Sequence, residues 1–194
     1  KVIKDFYGPF AVEVEKAMKL IENIKKQVVE TKYKCEKCGK DKYGTAVSVE
    51  CAKDEIGDNQ FIYMYGDELH GIQDIKKLAA LDDKYSYIGL EKRDNPEKFG
   101  IAVIDQEGFL EKIVEKPKEF IGNLANAGLF KFTPEIFSEV EKVTPSERDE
   151  YELTDAVQEL AKQRKIKTFI LHHHQHEISN PGDVDLAHSI LKKS

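Results

Sequence analysis

The stretch FIYMYGD, residues 61–67, decides the fold class. Its first five residues are almost continuously apolar, which is typical of a strand that is covered on both faces inside a sheet. Gly66 and Asp67 end this run, and a carboxylate at the end of a buried strand can hold a cation. We therefore expect a central strand over 61–65, with Asp67 as a candidate metal ligand at its end.

Helices and strands alternate on both sides of this strand. Apolar residues at helical spacing predict helices, and short apolar runs bounded by turn residues predict strands. The predicted helices cover about 11–26, 45–56, 72–79, 134–140, 154–163 and a last segment from 180; the other predicted strands cover 27–31, 85–90, 100–104, 109–115, 125–132 and 166–172. The turn 105–108 joins two of these strands as a hairpin. This order predicts one α/β domain over 1–194: a Rossmann-like mixed, mostly parallel sheet with helices on both faces and an antiparallel hairpin.

Composition narrows the class of protein. The 194 residues are 40% hydrophobic and 34% charged, as in globular proteins, and no apolar run approaches the roughly 20 residues that cross a membrane. The net charge of -6 argues against nucleic acid as a partner, because a nucleic-acid surface is basic. Three cysteines, with no apolar signal segment after the first residues, favour a reducing compartment, and we expect a cytoplasmic protein.

Six short motifs follow one another in a recognisable order. They are GTA at 44–46, GD at 66–67, FGI at 99–101 with DQEG at 105–108, VEKP at 114–117, NLANAGLF at 123–130 and EYELTD at 150–155. In this order they resemble the sugar-1-phosphate nucleotidyltransferases, the nucleotide-sugar pyrophosphorylases. Each motif alone occurs by chance, whereas six in order over about three quarters of the chain are specific.

The resemblance implies a function: a sugar 1-phosphate attacks the α-phosphate of a nucleoside triphosphate, and pyrophosphate leaves. Both reactants are anions, so catalysis consists mainly of positioning and charge neutralisation, for which Mg²⁺ is suited. The implied catalytic residues are Asp67 and Lys116, and the implied substrate-binding residues are Gly100, Glu115, Asn126 and Gly128; Gly44 and Thr45 would bind the nucleotide, and Asp67 and Glu177 would bind Mg²⁺. Further copies of the chain are expected partners, because the family often assembles.

Simpler explanations exist for the same residues. Asp67 could cap the turn that follows its strand, since aspartate is common in turns. Glu115 and Lys116 could form the solvated end of a hairpin. Glu177 stands where the family has an aspartate, so its side chain is one methylene longer.

The chain departs from the family mainly on the nucleotide side. The family's glycine-rich loop, Gly-x-Gly-Thr-Arg-Leu-x-Pro, has no counterpart, and Gly8 aligns with a segment that follows that loop. Gly39 stands where the family has a glutamine that reads the base. We therefore expect a chain that is N-terminally incomplete relative to the family: a fragment, a short homologue or a degenerate relative. A non-catalytic or regulatory relative that keeps the sugar-side pocket is the alternative function.

Two other groups of residues suggest metal binding. Cys35 and Cys38, with Cys51 and His70, could form a Cys₃His zinc site, although a second Cys-x-x-Cys pair is absent from the sequence. His172, His174 and His176 would share one face of a strand and could bind Zn²⁺ or Ni²⁺. Ordinary reduced cysteines and an exposed polar strand end explain the same residues, and a small metal-binding module remains a third hypothesis.

Overall fold

The structure, a computed structural model, describes residues 43–172, 176–178 and 183. Its helices are α1 (Thr45–Cys51), α2 (Lys53–Ile56), α3 (Ile72–Ala79), α4 (Glu135–Val140) and α5 (Leu153–Lys162), with a 3₁₀ turn at Pro96–Lys98. Its strands are β1 (Phe61–Met64), β2 (Glu68–Leu69), β3 (Ser86–Lys92), β4 (Gly100–Ile104), β5 (Leu110–Glu115), β6 (Leu124–Phe132), β7 (Ile166–Ile170) and β8 (His176–Glu177). The predictions over 11–26, over 27–31, at Cys35 and Cys38 and in the last helix lie outside the described residues.

Strand β6 organises the sheet. Among the described strands, the sheet has the order β5-β4-β6-β3-β7, and β1 also pairs with β6. The pairs β1–β6, β3–β6, β4–β6 and β4–β5 are antiparallel, and β3–β7 is parallel. It follows that β1, β3, β4 and β7 run in one direction, against β6 and β5. The predicted mixed α/β fold with an antiparallel hairpin is confirmed.

Two apolar cores lie on opposite faces of this sheet, because successive side chains of a strand point to opposite faces. Phe130 and Phe132 of β6 belong to the larger core and Leu129 belongs to the smaller one. Helices α1, α4 and α5 cover the larger core through Ala46, Val49, Ile136, Phe137, Val140, Leu153, Ala156, Val157 and Leu160. Helix α3 covers the smaller core through Leu78. Strand β1 contacts both cores, as its apolar sequence predicts, with Phe61 on one face and Ile62 on the other.

Three element boundaries differ from the predictions. The helix predicted over 45–56 divides at Ala52, because Val49 is the last buried residue of α1 and α2 buries none of its own. The helix predicted to begin with Pro134 begins at Glu135, with Pro134 as its N-cap. The strand predicted to reach His172 ends at Ile170, and His172 is exposed.

The chain divides into two compact units by its contacts, and one of them, Gly44–Ala187, contains nearly all of the described residues. The single domain over 1–194 stays a prediction. No described helix is both long enough and apolar enough to cross a membrane.

Candidate functional site

A step in the pairing of β6, a central strand, leaves a notch among the described strands. Strand β3 pairs along one side of β6, from Lys131 to Leu124. On the other side, β1 pairs with the end of β6 as far as Leu129, and β4 pairs with Ala125. Residues 126–128 lie between these two pairings. We call these three residues, with the chain ends that flank them at Tyr65 and at Gly100, the notch.

Gly128 shapes the floor of the notch. Its φ is 65°, a conformation that favours glycine, and its carbonyl accepts a hydrogen bond from the Tyr65 N–H at 2.9 Å. A Cβ at Gly128 would lie 2.6 Å from Cδ2 of Tyr65. Glycine is therefore required here by the tyrosine ring, which packs into the space that a side chain at position 128 would fill.

Asn126 joins the floor of the notch to its β1 side. Its Oδ1 accepts a hydrogen bond from the Gly128 N–H at 3.0 Å, and its side chain also hydrogen-bonds to the Tyr65 hydroxyl. Burial raises the pKa of Tyr65 far above its usual value, and the charges of Tyr63 and Glu115 add to this shift. Glu115 belongs to the same notch because it pairs with Gly100 in the β4–β5 ladder.

Glu115 lies over Gly100 on the other side of the notch. The two residues are partners in the β4–β5 ladder, and a Cβ at Gly100 would lie 2.9 Å from Oε2 of Glu115. Burial raises the pKa of Glu115 above its usual value, and the nearby Glu152 raises it further. Lys116 and Arg148 oppose this shift, and Nη2 of Arg148 lies 4.0 Å from Oε1 of Glu115.

Lys116 occupies a strained turn directly after β5. Its φ is 44°, in the left-handed region, and its side chain is exposed. The Lys116 N–H donates a hydrogen bond to the Phe99 carbonyl at 3.0 Å, which ties the turn to the residue before Gly100. A non-glycine residue in this conformation is unfavourable by about 1 kcal/mol or more, and such strain is often found at ligand sites.

Arg148 is a cation of this site that the sequence motifs did not identify. Its Nη2 lies 2.6 Å from Oε1 of Glu152, 3.8 Å from Glu150 and 4.0 Å from Glu115. The side chain is 39% exposed, so part of its charge faces solvent. The only sequence signal for it is a basic residue two positions before the acidic EYELTD motif.

Asp67 and Glu177 are brought to neighbouring positions by a two-stranded ladder. Glu68 of β2 pairs with Glu177 of β8, and the Ile178 N–H donates to the Asp67 carbonyl at 2.8 Å. Asp67 follows Tyr65 by two residues and is exposed, so it lies at the β1 side of the notch. Burial is the main cause of the raised pKa of Tyr63, and the charge of Asp67 adds to it.

This donor set fits a magnesium ion. Mg²⁺ is commonly bound by one or two carboxylates and completes its shell with water and substrate phosphates. Among residues 43–172, 176–178 and 183, no cluster of three or more His, Cys, Asp or Glu side chains could hold a metal. A zinc site built from protein ligands alone would need such a cluster, whereas two carboxylates with a phosphate substrate do not.

Gly44 and Thr45 are engaged in an interlock with the EYELTD motif. The Leu153 N–H donates to Oγ1 of Thr45 at 2.9 Å, and the Ala46 N–H donates to the Tyr151 carbonyl at 3.0 Å. A Cβ at Gly44 would lie 2.4 Å from the backbone N and O of Tyr151. These contacts hold the GTA and EYELTD motifs together in the fold, which is a structural reason for both to be present. Nucleotide binding by Gly44 and Thr45 stays a prediction.

The structure therefore brings most of the predicted residues to the notch beside β6. Gly100, Glu115, Lys116, Asn126 and Gly128 surround the notch, with Asp67 beyond its β1 side. The sequence motifs missed Arg148 and Tyr65. The roles of all these residues stay predictions.

His70, three residues after Asp67, makes folding stability sensitive to pH. Both ring nitrogens are buried and lack a hydrogen-bond partner in the described part of the chain. Burial lowers the pKa of His70 from 6.5 to about 4, although Asp74 opposes the shift. The unfolded chain therefore takes up a proton between these pH values while the folded chain does not. The free energy of unfolding is expected to fall as the pH drops from 6.5 towards 4, by at most about 1.4 kcal/mol per pH unit.

Urea unfolding at several pH values, with His70→Leu as the comparison, measures this effect. Leucine has a similar size and does not titrate, so the difference between the two stability profiles isolates His70 from the other titrating groups. A difference that stays constant between pH 7.5 and 4.5 would contradict the prediction.

Known proteins resemble this chain in sequence. The family model for nucleotidyl transferases matches residues 12–175. The chain is 39% identical over 150 residues to the bifunctional protein GlmU of Methanococcus aeolicus, covering 77% of this chain and 36% of that protein. It is also 39% identical over 119 residues to the low-salt glycan biosynthesis nucleotidyltransferase Agl11 of Haloferax volcanii, covering 60% of this chain and 33% of the relative. The chain thus spans about a third of the length of these curated relatives.

Solved structures share the fold. A crystal structure of apo UDP-glucose pyrophosphorylase superposes with a TM-score of 0.70 at 23% identity, covering 79% of this chain and 62% of the other. A putative glucose-1-phosphate thymidylyltransferase from Bacillus anthracis superposes with a TM-score of 0.67 at 22% identity, covering 80% of this chain and 63% of the other.

Proposed function

The chain belongs to the nucleotidyl transferase family, and we propose that it serves nucleotidyl transfer from a nucleoside triphosphate to a sugar 1-phosphate. The products are a nucleotide-sugar and pyrophosphate. The observation that carries the proposal is the arrangement of Glu115 over Gly100, with Lys116 and Arg148 beside it. A partly buried carboxylate next to two cations suits a ligand with hydroxyl groups at one end and a phosphate at the other.

Each residue at the notch has a part in holding the sugar 1-phosphate. Glu115 accepts hydrogen bonds from sugar hydroxyls, and Gly100 has no side chain, so the Glu115 carboxylate can lie over it and its backbone can approach the sugar. Lys116 and Arg148 neutralise the phosphate, whose oxygen attacks the α-phosphorus of the triphosphate in line. The bond from that phosphorus to the bridging oxygen breaks, and pyrophosphate leaves. The protein thus contributes positioning and electrostatics and forms no covalent bond.

Magnesium dependence belongs to the same proposal. Asp67 and Glu177 would hold the ion, which when bound neutralises triphosphate oxygens and the developing charge on pyrophosphate. Gly44 and Thr45 would contact the nucleotide. A cytoplasmic location and assembly with further copies complete the proposal.

The proposal is tested by calorimetry with a panel of hexose 1-phosphates and nucleoside triphosphates in the presence of Mg²⁺. We expect at least one hexose 1-phosphate to bind, and to bind more tightly than any triphosphate, because the sugar side keeps its residues. Glu115→Gln should weaken that binding about tenfold or more, since hydrogen bonds to a charged group contribute about 1.5–3 kcal/mol. Glu119→Gln, the same change at an exposed acid four residues later, should leave binding unaltered.

Release of pyrophosphate from a mixture of a nucleoside triphosphate and a sugar 1-phosphate then distinguishes an enzyme from a non-catalytic relative. Turnover supports nucleotidyl transfer, whereas sugar phosphate binding without turnover favours a relative that keeps only the sugar-side pocket. Binding of nucleotides with none for the sugar phosphates would refute the sugar-side assignment.

A further inference from the structure

Arg93 joins three chain segments beside the notch. It follows β3 directly, and its Nη2 lies 3.0 Å from Oε2 of Glu91. Its guanidinium carbon lies 5.0 Å from the centroid of the Phe99 ring, and its backbone N–H donates to the Asn123 carbonyl at 3.0 Å. The Arg93 side chain is only 24% exposed, so it is held by packing as well as by charge.

Two of these segments lead directly into the sugar-side residues. Phe99 precedes Gly100, and its carbonyl accepts the hydrogen bond from the Lys116 N–H. Asn123 precedes β6, which carries Asn126 into the floor of the notch. Any change that lets the Phe99 peptide rotate therefore releases the backbone of Lys116, whose φ of 44° is unfavourable without such support.

We propose that Arg93 is a positioning residue for Lys116. Its guanidinium lies over the Phe99 ring and fixes the Phe99 peptide, whose carbonyl holds the lysine turn in the conformation that presents the ammonium group to the sugar phosphate. This inference rests on the proposed function, because the phosphate is the ligand that Lys116 serves. Arg93 itself touches no substrate in this proposal.

The position of the guanidinium over the ring favours arginine over lysine here. A guanidinium is planar and weakly hydrated, so it can lie flat on an aromatic ring and pair with a carboxylate in the same position. A lysine can still reach Glu91 but offers only a compact charge to the ring. Arg93→Lys is therefore expected to keep the ion pair and lose part of the support for Phe99, and Arg93→Met is expected to lose both.

Hydrogen–deuterium exchange tests the physical link without reference to activity. If Arg93→Met loosens the Phe99 peptide bond, the Lys116 N–H loses its acceptor. The proteolytic fragment that spans residues 114–118 should then exchange faster than in the wild type. A peptide that spans β7 should exchange as in the wild type. The control is Lys98→Met, which removes an exposed cation from the same connecting segment.

Binding of a hexose 1-phosphate by calorimetry tests the consequence. We expect Arg93→Met to raise the dissociation constant at least tenfold and Arg93→Lys to raise it less, with Lys98→Met unchanged. Unchanged exchange at 114–118, or faster exchange with an unchanged dissociation constant, would overturn the inference. Should Arg93→Met fail to fold, Arg93→Lys decides by the same two measurements. If the wild type binds no hexose 1-phosphate, the proposed function fails first and the positioning role falls with it.

Discussion

Replacing Gly44 by alanine is expected to lower the free energy of unfolding by about 3 kcal/mol or more. The new Cβ would lie 2.4 Å from two backbone atoms of Tyr151, which cannot move aside as a flexible side chain can. The φ of Gly44, 135°, adds strain for any residue with a Cβ. Separating α1 from Tyr151 would also weaken the hydrogen bonds of Ala46 and Thr45 across the interlock, each of which contributes about 0.5–1.5 kcal/mol.

Urea unfolding of Gly44→Ala beside Gly57→Ala measures this effect. Gly57 also has a positive φ, 58°, but a Cβ there would meet nothing within 4 Å. Gly57→Ala should therefore lose only the conformational contribution, about 1–3 kcal/mol, since its ψ of -129° also favours glycine. Equal losses in the two variants would show that the contact with Tyr151 has no energetic weight, and that GTA and EYELTD are not coupled through it.

The fold could be anticipated from the sequence because its signals are local. The apolar run of β1 and the hairpin turn at 105–108 each specify one element without reference to the rest of the chain. The mixed α/β sheet then follows from the alternation of these elements. The division of the helix at Ala52 was missed because it depends on which residues the tertiary packing buries.

The site was anticipated only in part, because its geometry depends on pairings between distant segments. The motifs identified Glu115 and Gly100, and the β4–β5 ladder makes them partners. Nothing in the spacing of residues predicts that β1 and β4 leave a step at 126–128 on the same side of β6. Arg148 was missed for the same reason, since its neighbours Glu115 and Glu152 come together only through the fold.

Lys116→Gly is expected to abolish most sugar phosphate binding while slightly increasing stability. Removing the ammonium group removes a charge-assisted contact of about 1.5–3 kcal/mol, which corresponds to a 10- to 100-fold loss of affinity. Glycine adopts a φ of 44° without strain, so about 1 kcal/mol of unfavourable conformational energy is relieved, offset in part by the greater freedom of glycine in the unfolded chain. The melting temperature should therefore stay the same or rise by a few degrees.

Two further variants separate charge from strain in this prediction. Lys116→Met removes the charge but keeps the unfavourable φ, so it should lose affinity without any gain in stability. Asp149→Gly relieves the same kind of strain, at a φ of 61°, in an exposed residue outside the proposed contacts, so it should gain stability and keep affinity. Opposite changes in stability and affinity at Lys116 alone would mean that the strained turn is maintained for ligand binding. If Lys116→Gly instead binds hexose 1-phosphate as tightly as the wild type, the lysine is only the solvated end of a hairpin.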